Sequence, residues 1–223
     1  MHWPTPQQYN EAIQNPRFCF SDAELRRGKA EENSLGLPRS MTGAFASVYK
    51  VVSDEAAWAV RCFLARRDEQ EERYEAISKF VSFDNLDCTI PFYYLNQGIK
   101  VDNSWFPILK MSWVEGSTLG QFVEAHYKES ERMSWLRKNF QSMVAEIEAG
   151  GIAHGDLQHG NIIITGDGLR LVDYDALFVP ELLGKQNLEL GHANYQHPLR
   201  IACHYDCDVD NFSCWLIDLS LLV

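Results

Sequence analysis

Asp156 carries a carboxylate, and five residues later Asn161 carries a carboxamide, within IAHGDLQHGNIII at 152–164. Two imidazoles, His154 and His159, share the loop, and a β-branched run closes it. Another pair of carboxylates, Asp173 and Asp175, ends the short run LRLVDYD. Such a set suits the transfer of a γ-phosphoryl group to a hydroxyl. That transition state needs a clamp on phosphate, one or two Mg²⁺ ions and a carboxylate that orients the attacking oxygen. Asp156 would accept the hydroxyl proton. Asn161 would offer Mg²⁺ a neutral oxygen and Asp173 an anionic one, and hard oxygens are what this ion takes. The plain alternative is a polar turn between a helix and a strand.

What must position these groups is a chain of 223 residues, 46% hydrophobic and 23% charged. That is enough for one large domain or two small lobes with a real core. A formal charge of −11 argues against a broad nucleic-acid-binding face but leaves room for a local basic pocket for ATP. The six cysteines are scattered, with no CxxC pair. Cys203, His204 and Cys207, with His197 nearby, fit no common zinc spacing. The first residues lack the basic start and apolar core of a signal peptide, and the apolar runs are too short to span a bilayer. A cytoplasmic location with reduced thiols and no membrane contact is therefore expected.

Local pattern predicts the elements. PTPQQYNEAIQNP reads as a short helix, opened by Pro4 or Pro6 and ended by Pro16. Residues 21–35 are charged and read as irregular or exposed. ASVYKVVS and AAWAVRCFL, across the turn signal SDE, read as a β-hairpin. Residues 66–82 read as a helix with Tyr74, Ile77, Phe80 and Val81 on its apolar stripe and DEQEER as a solvated face. Two strands follow in IPFYYLNQGIKV and SWFPILKMSWV. The character then turns helical, over 118–127 and 131–149. The second helix places Trp135, Leu136, Phe140, Met143, Val144 and Ile147 at core spacing. NIIIT and LRLVDY flank the turn GDG, and 209–223 reads as a final apolar helix. The composition shifts near Glu115-Gly116, which divides 36–115 from 116–223 and leaves 1–35 as an extension.

In this order the motifs resemble those of the protein-kinase family over roughly residues 36–223. HGDLQHGN resembles the H-R-D-x-x-x-x-N catalytic loop, and LVDYD the strand that ends in D-F-G. WAVRCF resembles the V-A-I-K strand, and TGAFASVYKV part of the Gly-rich loop. MSWVEGSTL resembles the hinge, NYQHP the end of the activation segment, and DNFSCWLIDLSLL the buried helix behind it. The resemblance implies an α+β, bilobal fold: an antiparallel β N-lobe with one main helix, then a mostly helical C-lobe that this chain leaves incomplete. It implies an ATP- and Mg²⁺-dependent Ser/Thr protein kinase in which Asp156, Asn161, Asp173 and Arg61 are catalytic. Asn161 and Asp173 would hold metal. Gly43, Val48, Ala59, Arg61, Glu75, Met111, Ser112, Trp113 and Val114 would line the nucleotide site, with Glu75 or Glu72 as the partner of Arg61.

The departures from the family pattern bear on turnover. Position 61 is Arg in place of Lys, and a guanidinium does not settle on phosphates as an ammonium does. Met41, Gly43 and Ala46 stand at the three glycine places. Gly155 replaces the Arg that reads a phosphorylated activation segment, so no switching by phosphorylation there is expected. A pseudokinase that binds nucleotide, or a small-molecule phosphotransferase like the aminoglycoside and choline kinases, are the alternatives. YNEAIQNP, HGDLQHGNI, LVDYDALFVPEL and LGHANYQHP further resemble bacterial kinase-like proteins that carry helix-hairpin-helix segments after the kinase domain. Such proteins are encoded beside a von Willebrand A-type protein and a PP2C-like phosphatase in tellurium-resistance-type clusters. Those two, and a protein substrate, are the implied partners, with nucleic acid met only through a region beyond this chain. His154 is expected to hold the loop by hydrogen bonds, and His159 to be exposed or to touch substrate. Asp210 is expected to brace the loop backbone, while Asp175 is left between a second acidic contact and a cap. Tyr195, Trp105 and Trp113 are expected to pack in the core or hinge.

Overall fold

The computed structural model describes residues 2–43, 45–54, 56–67, 69–84 and 86–222, apart from the side chain of Asp84. Ala44 of the Gly-rich stretch, Glu55 of the hairpin turn and Asp68 of the charged run lie outside these, as do Met1, Asn85 and Val223. Two compact units emerge, residues 1–78 with 91–113, and residues 79–90 with 114–223.

The first unit opens with helix α1 (Pro6–Ile13), which Thr5 caps by a reciprocal bond pair with Gln8. Pro16 does more than end it, because the next turn, α2 (Pro16–Cys19), begins there. The stretch expected to be irregular at 21–35 is in part ordered. Asp22 caps α3 (Ala23–Arg27) by accepting from the N–H groups of Glu24 and Leu25. Strand β1 (Lys29–Ala30) follows, with Leu25 and Ala30 buried. The remaining strands are β2 (Ser40–Thr42), β3 (Ala46–Val52), β4 (Ala57–Phe63), β5 (Phe92–Val101) and β6 (Ser104–Ser112). They form one antiparallel sheet in the order β1-β3-β4-β6-β5, with β2 also paired to β3.

Period-two alternation gives this sheet two characters. One face puts Tyr49, Val51, Val60, Cys62 and Ile108 into a core with Tyr9, Ile13, Cys19, Phe20 and Leu25. The phenol of Tyr9 donates to the Phe63 carbonyl at 2.7 Å, which locks α1 onto β4. The opposite face is half-buried at Val48, Ala59, Arg61 and Met111, while Ala46, Phe63, Phe92 and Leu109 on it are buried. Helix α4 (Gln70–Asp84) begins in this unit, where Tyr74 meets Phe63, Phe92 and Tyr94. Its charged start is not wholly solvated: Gln70 and Arg73 are buried, and Arg73 pairs with Glu69 at 3.6 Å. Trp105 is partly exposed and does not join the core.

The second unit takes the end of α4, with Phe80 and Val81 buried. It continues as β7 (Ser117–Thr118), α5 (Leu119–His126), α6 (Ser130–Gly150), β8 (Ile162–Ile164), β9 (Leu169–Leu171) and α7 (Asn211–Ser220). Strands β7, β8 and β9 form a small antiparallel sheet. Met133, Leu136, Phe140, Met143 and Ile147 bury one stripe of α6, whereas Trp135 stands on its rim, 39% exposed. Arg137 on α6 forks onto Asp218 of α7 at 3.0 and 2.8 Å, a planar bidentate match. No described helix is long and apolar enough to cross a membrane.

Candidate functional site

Between α6 and β8 the chain runs through residues 151–161, and each bend of that loop has a partner within the second unit. Ala153 exchanges backbone bonds with Phe178 at 3.2 and 2.8 Å. Behind it stands Asp210, just before α7 and 4% exposed. Its carboxylate accepts from the N–H of His154, and from the N–H of Gly155 at 3.0 and 3.1 Å. Burial pushes this carboxyl up, while His154, those donors and Arg200 pull it back. Asp210 is thus the expected brace. His154 is fully buried and holds the loop from the other side, its Nε2 bonded to the Val172 carbonyl at 2.9 Å and its Nδ1 accepting from Asp156 N–H at 3.3 Å.

Asp156 is half-buried at the turn these bonds create. The Asn161 amide donates to its Oδ2 and to its carbonyl, each at 3.0 Å, so the two side chains named from spacing do meet. The other oxygen, Oδ1, accepts from the backbone N–H of His192 at 2.6 Å. That contact was not legible in the sequence. Val172 ties the end of β9 to the same loop through its N–H, which donates to the Asn161 carbonyl at 3.0 Å. The next residue, Asp173, has φ 67°, a left-handed conformation uncommon outside glycine. Such strain persists where the surroundings impose it and often marks a working site. Tyr174 is buried, accepting from Ile90 N–H at 2.7 Å and donating to the Leu171 carbonyl at 2.9 Å. Its hydroxyl therefore bridges two backbone groups.

Asn161 and Asp173 are hard oxygen donors. With its nitrogen spent on Asp156, the Asn161 amide keeps an Oδ1 to which no described residue donates. One carboxylate and one carboxamide suit Mg²⁺, which takes few protein ligands and fills its shell from phosphate and water. Among the described residues no group of three or more His, Cys, Asp or Glu is arranged to hold a metal.

The residues assigned to nucleotide lie, apart from Val114, in the first unit. Val48 faces Arg61 across the β3–β4 ladder, and Ala59 faces Met111 across β4–β6. By the same period they share one face of the sheet, all half-buried. Gly43 is exposed and closes the β2–β3 turn, its N–H donating to the Ala46 carbonyl at 2.9 Å. Ser112 is exposed, and the Trp113 N–H is taken by the Ala57 carbonyl at 2.9 Å. Lys50 lies over the Trp113 ring, 4.9 Å from its centroid. Glu75 is exposed with its charge against Tyr94. Val114 and the Asp156 loop belong to the second unit.

His159 is exposed, as expected, and pairs with the Tyr195 hydroxyl at 2.6 Å, their rings 5.4 Å apart. Arg200 is a cation beside Gly155 that the motif reading did not name. Its Nη1 donates to the Gly155 carbonyl at 2.6 Å. A signal was present: after Arg170 the chain holds only two Lys or Arg residues, Lys185 and Arg200, among many acids.

Taken together, the antiparallel sheet, the helices and the loop–strand pair around Asp156 define a mixed α+β, kinase-like fold. Among proteins of known structure, the kinase PK-1 of Cydia pomonella granulovirus shares this likeness, at a TM-score of 0.62. The two chains are 14% identical, over 89% of this chain and 69% of that one. No family model matches the sequence, and neither does any curated protein.

Proposed function

We infer that the chain is an atypical Ser/Thr protein kinase that transfers the γ-phosphoryl group of ATP to a protein hydroxyl. One observation carries the reading: Asp156 and Asn161 are hydrogen-bonded as a pair, and Val172, the residue before the strained Asp173, donates its N–H to the Asn161 carbonyl. Asp156 takes the proton of the acceptor hydroxyl as its oxygen bonds to phosphorus and the bond to ADP breaks. Asn161 and Asp173 would hold Mg²⁺, which when bound would supply the positive charge that offsets the phosphates. Arg61, half-buried on one face of the first unit's sheet with Val48, Ala59 and Met111, supplies the phosphate clamp. Gly43 and the backbone of Ser112–Val114 complete the nucleotide contacts. The resemblance to bacterial kinase-like proteins supports a cytoplasmic setting, with a von Willebrand A-type protein and a PP2C-like phosphatase as partners.

A nucleotide-binding module with little turnover is the second reading, favoured by the N–H of His192 seated on Asp156 Oδ1. Radiolabelled transfer from ATP and Mg²⁺ separates the two. Asp156→Asn is expected to lower transfer by about a hundredfold or more, the usual worth of a general base. Equal transfer by wild type and variant sinks the kinase reading. A thermal shift with ATP and Mg²⁺ alone would then support the binding module.

A further inference from the structure

Gly155 is held at every polar atom of its backbone. Its φ is 76°, and a Cβ added there would lie 2.1 Å from the Ala176 carbonyl oxygen, so no side chain fits. The peptide between Gly155 and Asp156 is gripped at both ends. Arg200 donates to its oxygen at 2.6 Å, and its N–H reaches His154 Nδ1 at 3.3 Å. That peptide sets the direction in which the Asp156 side chain leaves the backbone. Gly191 passes close by, for a Cβ there would stand 2.9 Å from both Asp156 Oδ1 and the Gly155 carbonyl oxygen.

The Arg200 guanidinium is unusual in what it gives up. Nη1 also meets Gln196 Oε1, but Nε and Nη2 are buried and have no partner among the described residues. Burial pushes its pKa down, against the opposing fields of Asp210, Asp156 and Asp206. An arginine that served only to tie segment 191–200 to the loop would be expected to satisfy its fork. Here the hydrogen bonds are incomplete, and what is preserved is a cation at one peptide oxygen amid three carboxylates.

We propose that Arg200 is a positioning residue for Asp156, supplying from beyond Tyr195 the cation that position 155 lacks and fixing the Gly155–Asp156 peptide. This rests on Asp156 as the group that orients the acceptor hydroxyl. Displacing such a group by about 1 Å is worth about a hundredfold in rate.

The test uses the full chain, radiolabelled ATP with Mg²⁺, and dephosphorylated casein as acceptor. Arg200→Met is expected to lower kcat by roughly 10- to 100-fold with KM for ATP within about twofold. Arg200→Lys, which keeps the charge and a donor for the Gly155 oxygen, is expected to recover to within about fivefold of wild type. Unchanged kcat in Arg200→Met overturns the proposal, as does an equal loss in the Lys variant that follows only the fraction folded. If Arg200→Met does not fold, Arg200→Gln, which retains a donor without charge, takes its place. Deuterium exchange over 152–158 decides independently of turnover, so it still applies if Asp156→Asn and wild type transfer alike. Faster exchange there, with β8 and α6 unchanged, supports positioning by Arg200; unchanged exchange rejects it.

Discussion

Lys110 in the first unit and Asp210 in the second are each 4% exposed, and these two buried charges are held in different ways. Lys110 leaves β6 to meet Asp22 at 3.0 Å and Glu24, with its ammonium 4.1 Å from the Trp58 ring centroid. Both acids keep contact with water, their side chains 23% and 42% exposed. Asp210 instead faces the fixed backbone N–H groups of His154 and Gly155. The first charge stitches a capping segment to a sheet, and its partners can turn to water if it is lost. The second holds a loop whose donors have nowhere to turn. Burial of a charge is costly in both places, but only at Asp210 does the compensation shape the candidate site.

The sharpest way to break this contrast is to remove each charge. Asp210→Ala strands two buried backbone donors and the Arg200 cation, and is expected to cost roughly 3–5 kcal/mol in urea denaturation. A loss under about 1 kcal/mol would mean that water replaces the carboxylate and that the loop is not held as described. Lys110→Met keeps the stem over Trp58 but frees two acids that rehydrate readily, so roughly 1–2 kcal/mol is expected. Its exchange signature should be local, with faster exchange over 23–30 and none over 152–158. Equal costs for the two substitutions would erase the distinction drawn between them.

The same contrast explains what could be read in the sequence. The hairpin of β3 and β4, the stripe of α6 and the Asp156–Asn161 pair were legible because each is written in local periodicity or fixed spacing. Helix α3 and β1 were not, because their order depends on Lys110, which lies 88 residues beyond Asp22. Local charge density there suggested irregular or exposed chain, and tertiary pairing overrode it. Gln70 and Arg73 misled in the same way, since a charged run does not announce which of its members turn inward. Arg200 reaches the Gly155 carbonyl, and the His192 N–H reaches Asp156, from 36 residues or more along the chain, a distance at which neither local period nor motif spacing reveals them. Motif spacing placed the Asp156–Asn161 pair; its further hydrogen-bond partners came from the fold.

The smallest effect isolates the charge of Asp22 from its capping role. Burial pushes its carboxyl up, but the N–H of Leu25, the Lys110 ammonium and the N–H of Glu24 together hold it below the ordinary aspartate value. A depressed folded-state pKa means that the unfolded chain binds the proton first as pH falls. The stability this charge contributes is therefore complete above the unfolded value, near pH 4, and is lost as pH falls through the lower folded value. Asp22→Asn keeps a competent N-cap, because asparagine accepts from the same N–H groups. Wild type should exceed the variant by under about 1 kcal/mol near pH 6, in keeping with a partly exposed pair, and the margin should vanish below about pH 3. Urea midpoints across that range measure it. A margin that stays constant with pH would assign Asp22 to capping alone, and Lys110 would then rest on Glu24 and the Trp58 ring for its compensation.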